Sequence, residues 1–176
     1  MKERGLIQVY TGDGKGKSTA AIGQAVRAAG HGFKVGFVFF FKDPEAFGCG
    51  EYEPLQKLGI KTSFFARKRP HFHKDVSFDE VGRECLRGLE FIKGLFADET
   101  WDMLVLDELI IAIRDGFLKE EKVLSLLEAK TQRLELILTG RGATEGIVRK
   151  ADLVSEVKKV KHPYEQGIKS REGIEY

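Results

Sequence analysis

Short apolar runs alternate along this chain with stretches whose apolar residues recur every three or four positions. "LIQVY" (6–10) has the length of a strand and is followed by a glycine-rich segment and a helical pattern over 18–29, with Gly30 as a natural helix stop. "KVGFVFFF" (34–41) is almost wholly apolar, as a strand covered on both faces should be. "IKTSFF" (60–65) is a weaker strand pattern. A helix over 78–97 places Phe78, Val81, Cys85, Leu89, Ile92 and Phe96 on one face. "MLVLD" (103–107), a helix over 119–129, "LELILTG" (134–140), a short helix and "DLVSEVKKV" (152–160) complete the series. Strands separated by helices require crossover connections, so the pattern predicts an α/β fold, a mainly parallel sheet flanked by helices, in one domain over 1–176. The least regular segments are 42–54, 66–77 and the tail from 161. They should gather beyond the carboxyl ends of the strands, where such sheets bind ligands.

Composition narrows this only a little. The 176 residues are 42% hydrophobic and 32% charged, as in an ordinary globular protein, and a net charge of +2 gives no argument for a nucleic-acid or membrane partner. Any anion site must come from local placement of basic residues. No run reaches membrane-spanning length and the first residues, "MKERGLIQVY", lack an apolar leader core, so the expected location is the cytoplasm. The two cysteines form no framework: Cys85 falls on the apolar face of a helix, Cys49 lies in the turn-like "GCGE", and a reducing compartment fits both.

The chemistry begins at "TGDGKGKST" (11–19), which follows a strand and opens a helix. Successive backbone N–H groups in such a turn make a concave anion site, reinforced by the positive end of the helix. Gly12, Asp13, Gly14, Lys15, Gly16, Lys17, Ser18 and Thr19 are therefore candidate phosphate contacts. Lys17 would reach the phosphates and the Ser18 hydroxyl would meet Mg²⁺. The spacing is unusual. In G-x-x-x-x-G-K-[ST] the first glycine would occupy position 11, which is Thr11, whereas Gly12 comes one residue late.

"WDMLVLDEL" (101–109) is an apolar strand ending in Asp107 and Glu108. A carboxylate at a strand's carboxyl end beside a phosphate loop can hold the Mg²⁺ that bridges nucleotide phosphates, and it can equally be a polar strand terminus that caps the next helix. Combined with the glycine loop, the pair points to a Mg–nucleotide protein. An ATPase in which Glu108 polarises water is compatible with these two motifs.

Further motifs carry a resemblance. "TGDGKGKSTAAIG" with its displaced glycine, "RAAGHG", "GE" at 50–51, "LVLDEL", "ILTGRG", "ADLVSE", "VKHPYEQGIK" and the closing "GIEY" together resemble the P-loop ATP:corrinoid adenosyltransferases over nearly the whole chain. The resemblance implies a RecA-like P-loop NTPase fold and a homodimer. It implies ATP, Mg²⁺ and a reduced corrinoid as ligands, with an electron-donating reductase upstream. It also implies transfer of the 5′-deoxyadenosyl group of ATP to Co(I) with release of triphosphate, the ATP being bound in the reverse of the hydrolytic orientation. Lys17 and Glu108 then become the catalytic pair. Ser18 and Glu108 would be metal ligands, with Asp107 orienting them. Arg27 in "AVRAAGHG" and Arg141 in "TGRG" match positions that meet the nucleotide. A RecA-like Mg-dependent ATPase is the alternative.

The chain departs from the resemblance in one loop. The family's Gly-Phe-Thr-Trp before the long helix is replaced by "ARKRPHFHK" (66–74), where His71 falls near the phenylalanine and His73 near the tryptophan. Phe72 is the surviving aromatic. Phe72 and His73 are accordingly the candidate corrinoid contacts.

Overall fold

Apolar runs without alternation are buried from both sides. The computed structural model, which describes residues 4–45, 50–71 and 73–174, shows how this works at β2 (Val35–Phe40), where every residue is buried. Val35, Phe37 and Phe39 point into one core layer, while Val38 and Phe40 point into the other. The first layer lies under α1 (Lys17–Gly30) and α2 (Tyr52–Lys57). The second lies under α3 (Phe78–Ala97), α4 (Leu109–Arg114), α5 (Glu120–Glu128) and α6 (Glu145–Lys150). The period of two that a strand imposes is thus present, hidden because both faces demand apolar side chains.

With β1 (Ile7–Thr11), β3 (Lys61–Phe65), β4 (Met103–Asp107), β5 (Glu135–Thr139) and β6 (Leu153–Glu156), the sheet has six strands in the order β3-β2-β4-β5-β1-β6. All pairings are parallel. β5 lies between β1, which feeds the glycine loop, and β4, which carries Asp107. The register Leu106↔Leu138 brings Asp107 level with Thr139.

Three boundaries differ from the sequence pattern, each for a local reason. The strand expected over 152–160 stops at Glu156, because Val157 turns to serve the glycine loop: its N–H donates to Thr11 O (2.8 Å) and its carbonyl accepts from Gly14 N (2.7 Å). The six-residue helices α2 and α4 have no counterpart in the sequence reading, since a single turn and a half carries too little periodicity to register. Phe78, assigned to the buried face of α3, is 51% exposed. A capping box fixes the reason: Ser77 accepts from Glu80 N, and the Glu80 carboxylate accepts from Ser77 N, so α3 begins at Phe78 and leaves that ring outside the core. Cys85 is fully buried, as expected, and burial pushes its thiol up to about 12. Cys49 lies outside the described residues. Among the described residues no helix is long and apolar enough to cross a membrane.

Candidate active site

The glycine loop is held by backbone rather than by side chains. Gly12 has φ 93° and Gly16 φ 125°, both in the region that L side chains avoid. A Cβ on Gly12 or Gly14 would stand 2.6 or 2.7 Å from the Val157 carbonyl oxygen, so the loop lies flush against the end of β6. The displaced glycine now has an explanation. Thr11 remains within β1, and its hydroxyl accepts from Ala143 N (3.2 Å), tying the loop's entry to the segment after β5. Gly16 is the N-cap of α1 and no side chain caps the helix, whose first turn contains no acid. The N–H groups at the start of a 14-residue helix are thereby left for an anion.

Lys17 is 6% exposed and folds back over its own loop, donating to Gly14 O (2.7 Å). Burial lowers its pKa, with Arg141 adding to the effect and Glu108 opposing it. Lys15 donates to Ile174 O (2.9 Å), which brings the chain's last described residues onto the loop. Ser18, Thr19, Lys42, Glu51, Glu108 and Arg141 face the same cavity of ≈ 610 Å³.

The two acids are treated differently. Asp107 is fully buried; its Oδ1 accepts from the Thr139 hydroxyl (2.7 Å) and its Oδ2 lies 3.0 Å from Lys42 Nζ, which also reaches Glu51 (3.3 Å). Burial alone would lower the Lys42 pKa, but Asp107 and Glu51 outweigh it and hold the ammonium above its ordinary value. Glu108 adopts a left-handed backbone, φ 63°, which costs a bulky residue roughly 1–2 kcal/mol. Its N–H donates to the Thr139 hydroxyl (2.9 Å), while its Oε2 is buried without a hydrogen-bond partner. Burial raises the Glu108 pKa, the neighbouring Asp107 charge raises it further, and Lys42, Lys17 and Arg69 pull it back. Asp107 Oδ1 is hydrogen-bonded and its Oδ2, though short of a well-aligned hydrogen bond, is ion-paired with Lys42, whereas Glu108 Oε2 has neither and is the oxygen free to meet a cation.

A second cavity of ≈ 980 Å³ adjoins the first, sharing Glu108 and Arg141. Pro70, Phe78, Ile111 and Phe117 supply apolar wall; Arg69 and Arg114 supply charge. Phe78 and Phe117 are packed ring to ring at 4.7 Å, and Phe117 continues to Phe41 at 5.6 Å. A third cavity of ≈ 900 Å³ lies under the tail, bordered by Lys158, Lys161, Tyr164 and Lys169, and it too reaches Arg141.

The structure thus gathers Gly14, Lys15, Gly16, Lys17, Ser18, Thr19, Glu108 and Arg141 at one cavity. Gly12 shapes the loop, and Asp13 is exposed at its tip. Asp107 stands behind the cavity wall, held by Lys42 and Thr139. Arg27 is not brought in: it is exposed on the last turn of α1 and donates to Gln24 (3.0 Å), away from the cavity's lining residues. Of the 66–77 loop, His71 lines the apolar cavity. His73 is not among its lining residues and donates its N–H to Arg69 O instead. Phe72 lies outside the described residues. Lys42, Thr139, Phe78 and Phe117 were not among the expected site residues. Lys42 closes the apolar run "FVFFFK" and Thr139 the run "LILT", so a polar residue at a strand's carboxyl end was the available signal.

A parallel sheet with a glycine loop leading into a helix, and an acidic strand end one strand away, defines a P-loop α/β protein of the RecA-like class. Two solved structures share that fold: the flagellar accessory protein FlaH from Methanocaldococcus jannaschii (TM-score 0.58, 12% identity, 88% of this chain and 71% of that one), and the KaiC-like protein PH0186 from Pyrococcus horikoshii OT3 (TM-score 0.57, 20% identity, 89% and 74%). Within the class, the model of the family described as ATP:corrinoid adenosyltransferase BtuR/CobO/CobP matches residues 3–176. The chain is 39% identical over 176 residues to the corrinoid adenosyltransferase CobA of Salmonella typhimurium strain LT2, covering 100% of this chain and 88% of that protein. It is 38% identical over 179 residues to the corrinoid adenosyltransferase of Escherichia coli strain K12, covering 99% and 87%. The chain belongs to the ATP:corrinoid adenosyltransferase family.

Proposed function

We propose that this chain, as one domain over 1–176, transfers the 5′-deoxyadenosyl group of ATP to the Co(I) centre of a reduced corrinoid and releases triphosphate. One observation carries the reading beyond family membership. The phosphate cavity and the aromatic, arginine-bearing cavity share a wall at Glu108 and Arg141, so a nucleotide gripped by the loop has a chamber for a large flat partner beside it. The corrinoid substrate brings its own nucleophile, and attack on C5′ forms the Co–C bond as the C5′–O bond breaks. The bonding pair stays on the departing triphosphate. What the chain's residues do is bind, orient and neutralise charge.

In this reading the loop from Gly12 to Lys17 holds the far end of the triphosphate, in the reverse of a hydrolytic arrangement, and C5′ faces the apolar chamber. Lys17 exchanges Gly14 O for phosphate oxygen. The partnerless Glu108 Oε2 and the Ser18 hydroxyl in the same cavity suit Mg²⁺, which accepts one or two protein oxygens and keeps its remaining waters. Bound there, Mg²⁺ supplies charge neutralisation to the phosphates. Asp107 acts from behind through Thr139 and Lys42. A homodimer in the cytoplasm, supplied with Co(I) by an electron-donating reductase, completes the proposal.

The test is product identity. With ATP, Mg²⁺ and chemically reduced cobalamin the protein should yield adenosylcobalamin and intact triphosphate in equal amounts. Orthophosphate released without any corrinoid would replace this reading with that of a RecA-like Mg-dependent ATPase.

A further inference from the structure

We propose that Lys42 is a catalytic residue of the transfer, its ammonium meeting the bridging oxygen of the α-phosphate as C5′ departs. The inference rests on the adenosyl-transfer reading above.

Lys42 follows β2 after Phe41, whose φ of 58° marks a left-handed turn at the strand's end. The side chain is 22% exposed and lines the phosphate cavity, yet its ammonium is clamped: 3.0 Å from Asp107 Oδ2, 3.3 Å from Glu51 Oε1, and 5.2 Å from the centre of the Phe39 ring. Asp107 is itself pinned by Thr139 (2.7 Å). A fully buried carboxylate paired with a lysine is a poor way to stabilise a fold, because desolvation offsets the attraction and well-packed apolar side chains do as well. Phe39, which lies opposite Asp107 in the register and under the Lys42 ammonium, is apolar and fully buried. The pair sits where an apolar packing was available, which points to work at the cavity.

The chemistry identifies that work. Breaking C5′–O leaves the bonding electrons on the bridging oxygen, so triphosphate departs with one more negative charge than it bore as part of ATP. Lys15 and Lys17 belong to the loop that holds the opposite end of the phosphate chain. Among the described residues, the lysine and arginine side chains that line the cavity from outside the loop are Lys42 and Arg141, and of these Arg141 is exposed, whereas Lys42 is fixed by two carboxylates. A cation held in place before charge develops loses nothing to reorganisation, and a preorganised donor of this kind is worth about 10²–10³-fold in turnover.

Lys42→Met and Lys42→Arg should be compared with the unaltered protein for kcat with reduced cobalamin, ATP dissociation constant, inhibition by inorganic triphosphate, and melting temperature. Lys42→Met should lose about 10²–10³-fold in kcat while ATP affinity stays near that of the unaltered protein, and triphosphate inhibition should weaken in parallel. Lys42→Arg should recover part of kcat. An ATP analogue with sulfur as the bridging atom leaves more readily and should narrow the gap between Lys42→Met and the unaltered protein. Unchanged kcat, or a loss confined to KM and ATP affinity, overturns the proposal. If Lys42→Met fails to fold, Lys42→Arg decides alone: a folded variant with full kcat and full sensitivity to the sulfur substitution overturns it, and a reduced kcat that the sulfur analogue restores supports it. Should the unaltered protein form no adenosylcobalamin, the functional reading itself falls, an outcome separate from any Lys42 result.

Discussion

Replacing Thr139 with valine tests how the two acids are held. Thr139 is fully buried between β4 and β1, and its hydroxyl makes two bonds: it donates to Asp107 Oδ1 at 2.7 Å and accepts from Glu108 N at 2.9 Å. Valine preserves shape and removes both, leaving a buried carboxylate oxygen and a main-chain N–H short of a partner. A bond to a charged group contributes about 1.5–3 kcal/mol and a neutral one about 1 kcal/mol, so Thr139→Val should cost about 3 kcal/mol. In a chain of this length each kcal/mol lowers Tm by about 2–4 °C, giving a fall of about 10 °C. Thr139→Ser keeps the hydroxyl and deletes one methyl, for about 1 kcal/mol. Thermal and urea melts of the three proteins measure this directly. If valine is as stable as serine, Thr139 does not anchor the acid pair and the division of labour between Asp107 and Glu108 has another origin.

Four further outcomes follow from the structure. Gly14→Ala places a methyl 2.7 Å from the Val157 carbonyl and 2.9 Å from Lys158 backbone atoms, so it should abolish measurable ATP binding by equilibrium dialysis. Gly23→Ala, on the exposed face of α1 with no atom within 4 Å of the added Cβ, should instead stabilise by about 0.5–1 kcal/mol. Glu108→Gln should raise the Mg²⁺ concentration needed for half-maximal activity while leaving Tm equal or higher. Burial and the Asp107 charge raise the carboxyl's pKa in the folded state, so stability is lost as pH rises from the ordinary carboxyl pKa to the raised one, and the amide escapes that cost. Cys85, pushed up to about 12 by burial, stays protonated well above the range where a free thiol ionises, so peptide-resolved alkylation at pH 8.5 should leave it unlabelled until the protein is unfolded.

The fold was legible where one segment carries its own answer. The uninterrupted apolar run of β2, the three-and-four spacing of α3 and the strand–loop–helix context of the glycines each encode their structure locally. What escaped depends on partners far along the chain. Thr139 matters because β4 and β5 align Leu106 with Leu138, and no reading of "LILT" alone reveals which residue lies opposite. Lys42 matters because two acids, at 51 and 107, converge on it from a short helix's start and a strand's end. Phe78 was misassigned because helical periodicity extends smoothly through a first residue that the capping box leaves outside the core. Arg27 shows the converse: a family position can be read from sequence, yet a side chain on the last turn of α1 lies a helix length from the loop at its start.

On the proposed function, residues 12 to 18 grip the triphosphate as a leaving group rather than as a target of water. ATP carrying heavy oxygen in the bridge between C5′ and the α-phosphorus discriminates the two outcomes by mass. With reduced cobalamin present, the label should leave entirely in triphosphate, because the carbon–oxygen bond is the one that breaks. Label retained on the nucleoside, with the cut at phosphorus, would contradict the account.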